Sequence, residues 1–230
     1  MSDKSKIILA LDLDDNNKIQ KIVSEVSNDI YGIKIGYQYL FNFGIKKLSF
    51  FKKKKLKIFF DFKLHDIPNT VSRATEALAR FKPDMMTVHI SGSESMLKFS
   101  KKYSKNIKII GVSALTSLNK KDITKIYKRS NAEKLVRDMV KIAINAKIDG
   151  IVCSPKEIKL VKKISKNKLT IITPGIRPNK NKAKNDDQKR FLSPKRAIEL
   201  GADYIVIGRP ILNSKNPKKL VKSINEETKL

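Results

Sequence analysis

The amino-acid sequence predicts an α/β protein that folds as one (β/α)8 barrel, the TIM-barrel architecture, in a single domain over residues 1–230. Three observations lead to this prediction: eight short apolar runs, helical patterns between most of them, and no low-complexity linker that would divide the chain. Strands that alternate with helices favour a parallel sheet joined by helical crossovers. Eight such units in a chain of this length match a barrel.

The strand candidates are short runs rich in β-branched residues, at residues 7–11, 31–35, 57–62, 85–90, 107–112, 150–153, 169–173 and 204–207. Helical spacing is clearest after the third run, at Val71, Ala74, Leu78 and Ala79, and again across residues 135–143. A doubly wound open sheet is the structural alternative. It would need no eighth unit and normally has a glycine-rich first turn, which residues 11–14 do not supply.

The formal net charge of +28 raises the question of a nucleic-acid or anionic-membrane partner. Only eight of the 50 basic residues are arginine, and the lysines are spread along the whole chain together with many isoleucines and asparagines. That pattern is typical of an AT-rich coding sequence. A nucleic-acid-binding protein would call for arginine-rich or aromatic-interleaved patches, which are not evident, so we expect no specific nucleic-acid partner.

Targeting and cofactor signals are equally sparse. No run of about 18 apolar residues and no signal-peptide core is present, so we expect a cytoplasmic protein without a membrane partner. The single cysteine, Cys153, lies in an apolar run and is expected to be a buried structural thiol. Neither His65 nor His89 falls in a zinc-ligand pattern with cysteine, and we expect no metal and no cofactor.

Charged and polar residues cluster where the predicted strands end, the part of a barrel that carries catalytic residues. Asp61 and Lys63 are two residues apart on the third strand, so both should face the barrel mouth. Asp66 either caps the following helix, with Pro68 in its first turn, or joins the site. The other strand-end residues are Asp12, Lys34, His89, Thr116, Arg177, Gly208 and Arg209. Carboxylates and ammoniums packed together at a cavity mouth often mark an active site.

Residues 61–70, Asp-Phe-Lys-Leu-His-Asp-Ile-Pro-Asn-Thr, resemble the signature of the orotidine 5'-phosphate decarboxylase family in its bacterial form. Five further segments are similar to motifs of that family in the same order, at residues 10–12, 34–36, 115–117, 173–178 and 206–210. The resemblance covers the chain from about residue 7 to the last helix. It implies a barrel enzyme, a carboxy-lyase that converts orotidine 5'-phosphate to uridine 5'-phosphate and carbon dioxide in de novo pyrimidine biosynthesis.

The resemblance also implies roles for individual residues, without metal or cofactor. Lys34, Asp61, Lys63 and Asp66 would form a charged network in which Lys63 stabilises and protonates a carbanion at C6 of the pyrimidine. The implied substrate-binding residues are Asp12, Lys34, Asp61, Thr70, Thr116, Arg177, Gln188, Gly208 and Arg209. Asp66 and Thr70 would reach the substrate from the other subunit of a homodimer. Residues 179–189 are similar to the family's lid.

A sister family offers the nearest alternative. The keto-sugar phosphate decarboxylases and hexulose phosphate synthases share an Asp-x-Lys-x-x-Asp core but use magnesium and an enediolate. They place an acidic metal ligand near the end of strand two, where this chain has Lys34, and they lack the Pro-Asn-Thr extension at residues 68–70. For His65 a structural hydrogen bond is preferred to proton transfer, and His89 is expected to line the pocket or support it.

Overall fold

The computed structural model describes residues 5–129, 131–178 and 191–229, and they form one α/β barrel. Its strands are β1 Ile7–Ala10, β2 Gly32–Ile35, β3 Lys57–Leu64, β4 Met85–His89, β5 Lys108–Val112, β6 Gly150–Val152, β7 Thr170–Thr173 and β8 Tyr204–Ile207. The helices of these ranges are α1 Asn16–Val26, α2 Tyr37–Phe43, α3 Ser49–Lys53, α4 Pro68–Ala79, α5 Glu94–Tyr103, α6 Lys120–Tyr127, α7 Ala132–Asn145, α8 Ile158–Ser165, α9 Pro194–Glu199, α10 Arg209–Leu212 and α11 Pro217–Glu227. Short 3-10 turns occupy Lys46–Leu48, Ile90–Gly92 and Pro155–Glu157.

The strands close in sequence order, each parallel to its neighbours, and β8 pairs with β1. Each predicted strand is present, and the prediction of a (β/α)8 barrel is confirmed. The open doubly wound sheet is wrong because β1 and β8 are hydrogen-bonded, with Ile8 opposite Val206. No helix within the described ranges is long and apolar enough to cross a membrane.

Two apolar clusters hold the barrel together. The smaller fills its interior with alternate strand residues, namely Ile8, Ala10, Phe59, Met85, Ile110, Ile172 and Val206. The larger lies between the strands and the helices and takes the intervening residues, such as Leu9, Phe60 and Met86. Cys153 belongs to this outer cluster and is buried, as predicted; burial raises the pKa of its thiol. Because apolar side chains fill the interior, the polar side chains that could carry chemistry lie at the strand ends.

Strand β3 departs from regular pairing at its C-terminal end. Its register with β4 is regular through Phe60 and resumes at Leu64, with an irregularity between them. Within this stretch Lys63 has a φ of 45°, a left-handed conformation that residues other than glycine seldom adopt. Strain of this kind persists only where surrounding contacts enforce it.

The start of α4 corrects one interpretation of Asp66. Pro68 is the first helical residue, as predicted, but the N-cap is Ile67 and not Asp66. The Asp66 carboxylate instead accepts a hydrogen bond from the neighbouring Ile67 N–H at 2.6 Å. Asp66 and Ile67 are both exposed, the latter by 65%. The capping hypothesis for Asp66 is therefore wrong.

Candidate active site

A cavity of about 540 Å³ opens at the C-terminal ends of the strands. Its lining includes most of the site residues predicted from the sequence: Asp12, Lys34, Asp61, Lys63, Thr116, Arg177, Gly208 and Arg209. In the part of the chain that the structure describes, Asp66 and Thr70 are exposed and are not part of this lining. Gln188 and the whole segment similar to a lid, residues 179–189, lie outside the described residues. Among the polar residues of this lining, Gln38 was not predicted.

The centre of the cavity is a buried carboxylate held between two ammonium groups. Lys34 Nζ lies 3.1 Å from Asp61 Oδ2, and Lys63 Nζ lies 2.9 Å from Asp61 Oδ1. Lys34 Nζ also lies 3.7 Å from Asp12 Oδ1. The Asp61 side chain is only 12% exposed. Charges in such a site attract more strongly than at the surface because little water screens them.

The pKa values of the central groups follow from these contacts. Burial alone raises the pKa of Asp61, but the charges of Lys34 and Lys63, with their hydrogen bonds, outweigh burial and lower it. Burial alone lowers the pKa of Lys34, but the carboxylates of Asp61 and Asp12 outweigh it, and the pKa is raised. Both groups are therefore charged at neutral pH, and each keeps the other charged.

Two glycines, Gly36 and Gly208, lie close to this arrangement. A Cβ atom on Gly36 would lie 3.4 Å from Asp12 Oδ1 and 3.5 Å from Lys34 Nζ. A Cβ atom on Gly208 would lie 3.3 Å from the Cβ atom of Ala10. The Gly36 distances are ordinary van der Waals contacts, whereas the Gly208 distance is tight, so a side chain at Gly208 would press on the end of β1.

Thr87 of β4 contacts the network and was not predicted from the sequence. Its hydroxyl oxygen accepts a hydrogen bond from the Lys63 backbone N–H at 2.7 Å and lies 3.1 Å from Asp61 Oδ1, to which it donates. Alternation along β4 could have identified it, since Thr87 lies two residues from Met85, which is inside the barrel.

The two histidines lie beside the network as a stacked pair, with ring centroids 5.0 Å apart. Ser91 Oγ lies 2.6 Å from His89 Nδ1 and 3.3 Å from His65 Nε2. Burial first, and then the charges of His65 and Lys63, lower the pKa of His89 to about 4. His89 is therefore neutral at pH 7 and adds no positive charge beside Lys63.

The charges of the cavity favour an anionic ligand. Four basic side chains line it, Lys34, Lys63, Arg177 and Arg209, against the carboxylates of Asp12 and Asp61. Arg177 Nη1 donates to the Ile176 carbonyl oxygen, which anchors that side chain after β7. Arginine at the ends of the seventh and eighth strands is well placed for phosphate in a barrel of this type.

The same residues do not fit a divalent metal ion. Among the described residues, no group of three or more histidine, cysteine, aspartate or glutamate side chains could hold one. The two carboxylates in the cavity lining both lie within 4 Å of the Lys34 ammonium, which would repel a cation placed between them.

Comparison with known proteins places the chain among relatives of the same length. Orotidine 5'-phosphate decarboxylase from Carboxydothermus hydrogenoformans is 37% identical over 230 residues, covering 96% of this chain and 95% of that protein. The protein of the same name from Wolbachia pipientis is 40% identical over 213 residues, covering 92% and 93%. The crystal structure of orotidine 5'-phosphate decarboxylase from Lactobacillus acidophilus aligns with a TM-score of 0.84 and 32% identity, covering 99% of this chain and 100% of that one.

A family model described as orotidine 5'-phosphate decarboxylase / HUMPS family matches residues 5–224. This match spans nearly the whole chain and includes every strand of the barrel. The chain belongs to the orotidine 5'-phosphate decarboxylase / HUMPS family.

Proposed function

We propose that this protein is a cytoplasmic carboxy-lyase of pyrimidine biosynthesis that converts orotidine 5'-phosphate to uridine 5'-phosphate and carbon dioxide. The observation that carries the proposal is the buried Asp61 carboxylate held between Lys34 and Lys63 at the barrel mouth. The names of the relatives, which are similar over nearly their whole length, support the substrate.

Lys63 is the residue to which we assign the chemical step. Breaking the bond between C6 and the carboxylate leaves an electron pair in the plane of the pyrimidine ring, where it cannot delocalise as in an enolate. The Lys63 ammonium stabilises this charge through space as it develops, and then donates a proton to C6 while carbon dioxide departs. Its ion pair with Asp61 at 2.9 Å keeps the ammonium fixed in the cavity.

Asp61 has two roles in this proposal. It keeps Lys63 in place, and its negative charge repels the substrate carboxylate, so that loss of carbon dioxide relieves an unfavourable contact. Lys34 orients Asp61 from the opposite side at 3.1 Å and binds the ribose hydroxyls together with Asp12.

The phosphate of the substrate has its own binding group. We assign phosphate binding to Arg209 and Gly208, with Arg177 nearby, because these residues line the cavity beyond β7 and β8. Thr116 would bind the pyrimidine amide edge, and Gln188 would bridge phosphate and base. Binding energy from the phosphate, which does not react, can raise the rate of the chemical step.

We further propose a homodimer in which Asp66 and Thr70 complete the site of the partner subunit. Both residues are exposed at the junction of β3 and α4, next to Ile67, which is 65% exposed. A partner that covered this apolar side chain would also lie beside Asp66 and Thr70. Analytical ultracentrifugation checks this proposal, which a strictly monomeric active species would contradict.

The decisive assay follows conversion of orotidine 5'-phosphate to uridine 5'-phosphate by the purified protein in excess chelator. We expect full turnover, because Lys34 stands where the sister family has an acidic metal ligand, and its ammonium would repel magnesium. A folded protein without turnover would refute the proposed function. Turnover that requires added magnesium would favour the sister chemistry instead.

A further inference from the structure

The pairing between β3 and β4 is broken where the candidate catalytic residues lie. Phe60 pairs with Met86 and Leu64 pairs with Val88, so three residues of β3 lie opposite the single residue Thr87. Two of those three are Asp61 and Lys63. A bulge of this kind redirects side chains next to a site, and it also removes regular ladder hydrogen bonds.

The Thr87 side chain supplies hydrogen bonds within this break. Its oxygen accepts the Lys63 backbone N–H at 2.7 Å, and its single proton is directed to Asp61 Oδ1 at 3.1 Å. Thr87 is fully buried, so water does not compete for either bond. The hydroxyl thus connects the left-handed backbone of Lys63 with the carboxylate to which the Lys63 ammonium is paired.

We propose that Thr87 is a positioning residue for the reaction, acting through Lys63 and Asp61 without touching the substrate. Its hydroxyl holds the Lys63 backbone in the left-handed conformation and sets the direction of the Asp61 carboxylate between its two ammoniums. This inference rests on the proposed function. It adds a residue from β4 to a cavity whose charged side chains come from β2, β3 and the segments beyond β1, β7 and β8.

Two substitutions separate the hydroxyl from the shape of the side chain. Thr87→Val keeps the shape but leaves the Lys63 N–H and the Asp61 oxygen without this partner, whereas Thr87→Ser keeps the hydroxyl. Thr75→Val is the matched control, because Thr75 is also fully buried, and its hydroxyl bonds Val71 O at 2.8 Å and Ser100 Oγ at 3.0 Å on helices outside the barrel.

The experiment measures kcat, KM for orotidine 5'-phosphate and thermal stability for the wild type and each variant. We expect Thr87→Val to lower kcat by about a hundredfold, the effect of a small misplacement of catalytic groups, with KM within about threefold. Thr87→Ser should recover most of the lost kcat. Thr75→Val should lower the melting temperature and leave kcat unchanged. If Thr87→Val does not fold, Thr87→Ala takes its place.

Several outcomes would overturn the proposal: a folded Thr87→Val with wild-type kcat, a loss confined to KM, or a Thr87→Ser variant as slow as Thr87→Val. A wild type without turnover would instead refute the proposed function. In that case the positioning role of Thr87 is tested by comparing the crystal structures of the wild type and Thr87→Val. An unchanged Lys63 φ and an unchanged Lys63–Asp61 pair in the variant would overturn the positioning role.

Discussion

Strand β3 carries a lysine–aspartate pair at each end, and the two pairs differ in what surrounds them. At the N-terminal end Lys57 Nζ lies 2.8 Å from Asp84 Oδ1, and at the C-terminal end Lys63 Nζ lies 2.9 Å from Asp61 Oδ1. The distances are almost equal. The Asp84 side chain, however, is 31% exposed against 12% for Asp61, and Lys57 is 51% exposed against 35% for Lys63.

The difference lies in the second partner of each carboxylate. Asp84 also accepts the Ile58 backbone N–H, so its charge joins the start of β3 to β4 and serves the fold. Asp61 faces a second ammonium, Lys34, and a buried hydroxyl, Thr87. The same pair of residue types is therefore structural where water screens it and suited to chemistry where buried charges converge.

The largest expected effect is on activity, where substitutions of the two paired lysines of β3, Lys57 and Lys63, should differ. Lys63→Ala should lower kcat at least about a thousandfold, because it removes the charge to which we assign stabilisation of the carbanion. Lys57→Ala should leave turnover unchanged, since Lys57 lies at the opposite end of the barrel. Steady-state assays on both folded variants test this. Near-normal rates for Lys63→Ala would contradict the role assigned to Lys63. An equal loss of activity in Lys57→Ala would show that the two lysine–aspartate pairs do not differ in function.

The two aspartates should differ in stability. At pH 7 Asp61→Asn should lower the free energy of unfolding by about 3 kcal/mol, because two ammoniums lose their shared carboxylate in a buried site. Asp84→Asn should lower it by less than about 1 kcal/mol, since its lysine partner is 51% exposed and water screens the pair. Urea unfolding monitored by circular dichroism measures both values.

The effect of Asp61 should depend on pH with a defined sign. Its folded pKa lies below its unfolded value, so its contribution to stability is present above that unfolded value, about 3.9, and is lost as pH falls through the folded pKa. Unfolding at pH 3 should therefore show a smaller gap between the wild type and Asp61→Asn than at pH 7. A gap that widens in acid would contradict the pairing.

His89, beside Lys63, should make the C-terminal end of the barrel sensitive to mild acid. Its folded pKa of about 4 lies below the unfolded value of 6.5, so the unfolded state binds more protons between these values. Stability should therefore fall by about 2 kcal/mol as pH drops from 6.5 to 4. His89→Gln should remove this slope in urea unfolding curves. An equal slope in the variant would assign the effect to other groups.

The smallest effect concerns left-handed lysines, which occur at both ends of the barrel. Lys147, with a φ of 55°, follows α7 in a helix-ending motif in which Lys147 N–H bonds Ile144 O and Ile148 N–H bonds Ala143 O. Glycine is the usual residue there. Lys147→Gly should raise the free energy of unfolding by about 0.5 kcal/mol, because no Cβ strain remains.

Lys141, exposed within α7, is the matched control. Lys141→Gly should lower the free energy of unfolding by about 1 kcal/mol, since glycine is a poor helix former. Urea unfolding measures both changes in the free energy of unfolding. Destabilisation by Lys147→Gly would mean that this lysine makes contacts that compensate for its strained backbone, as Lys63 does at the other end.

Much of the fold could be predicted because its signals are local. The strands, from residues 7–11 to 204–207, are short apolar runs, and the longer helices, such as α4 and α7, repeat their apolar residues over neighbouring turns. The count of eight units then selected a closed barrel. The capping interpretation of Asp66 failed because Ile67, one residue on, is the last extended residue before α4.

The site was predicted in part. Strand alternation correctly brought Asp61 and Lys63 to the same side, although the ladder is irregular there and Lys63 is left-handed. Thr87 was missed because alternation along β4 puts it on the inner face but does not distinguish it from a residue that only fills the interior. Its importance depends on the break in pairing opposite it, which involves residues more than twenty positions away.

The sequence by itself determined the order of the elements and the identity of the charged residues at the strand ends, because periodicity and composition are properties of neighbouring residues. Only the tertiary structure decided that Asp61 is shared by Lys34 and Lys63 while Asp84 takes one lysine at the surface. That decision depends on how β2, β3 and β4 align side by side, and register between strands far apart in sequence follows from the packing of the whole barrel.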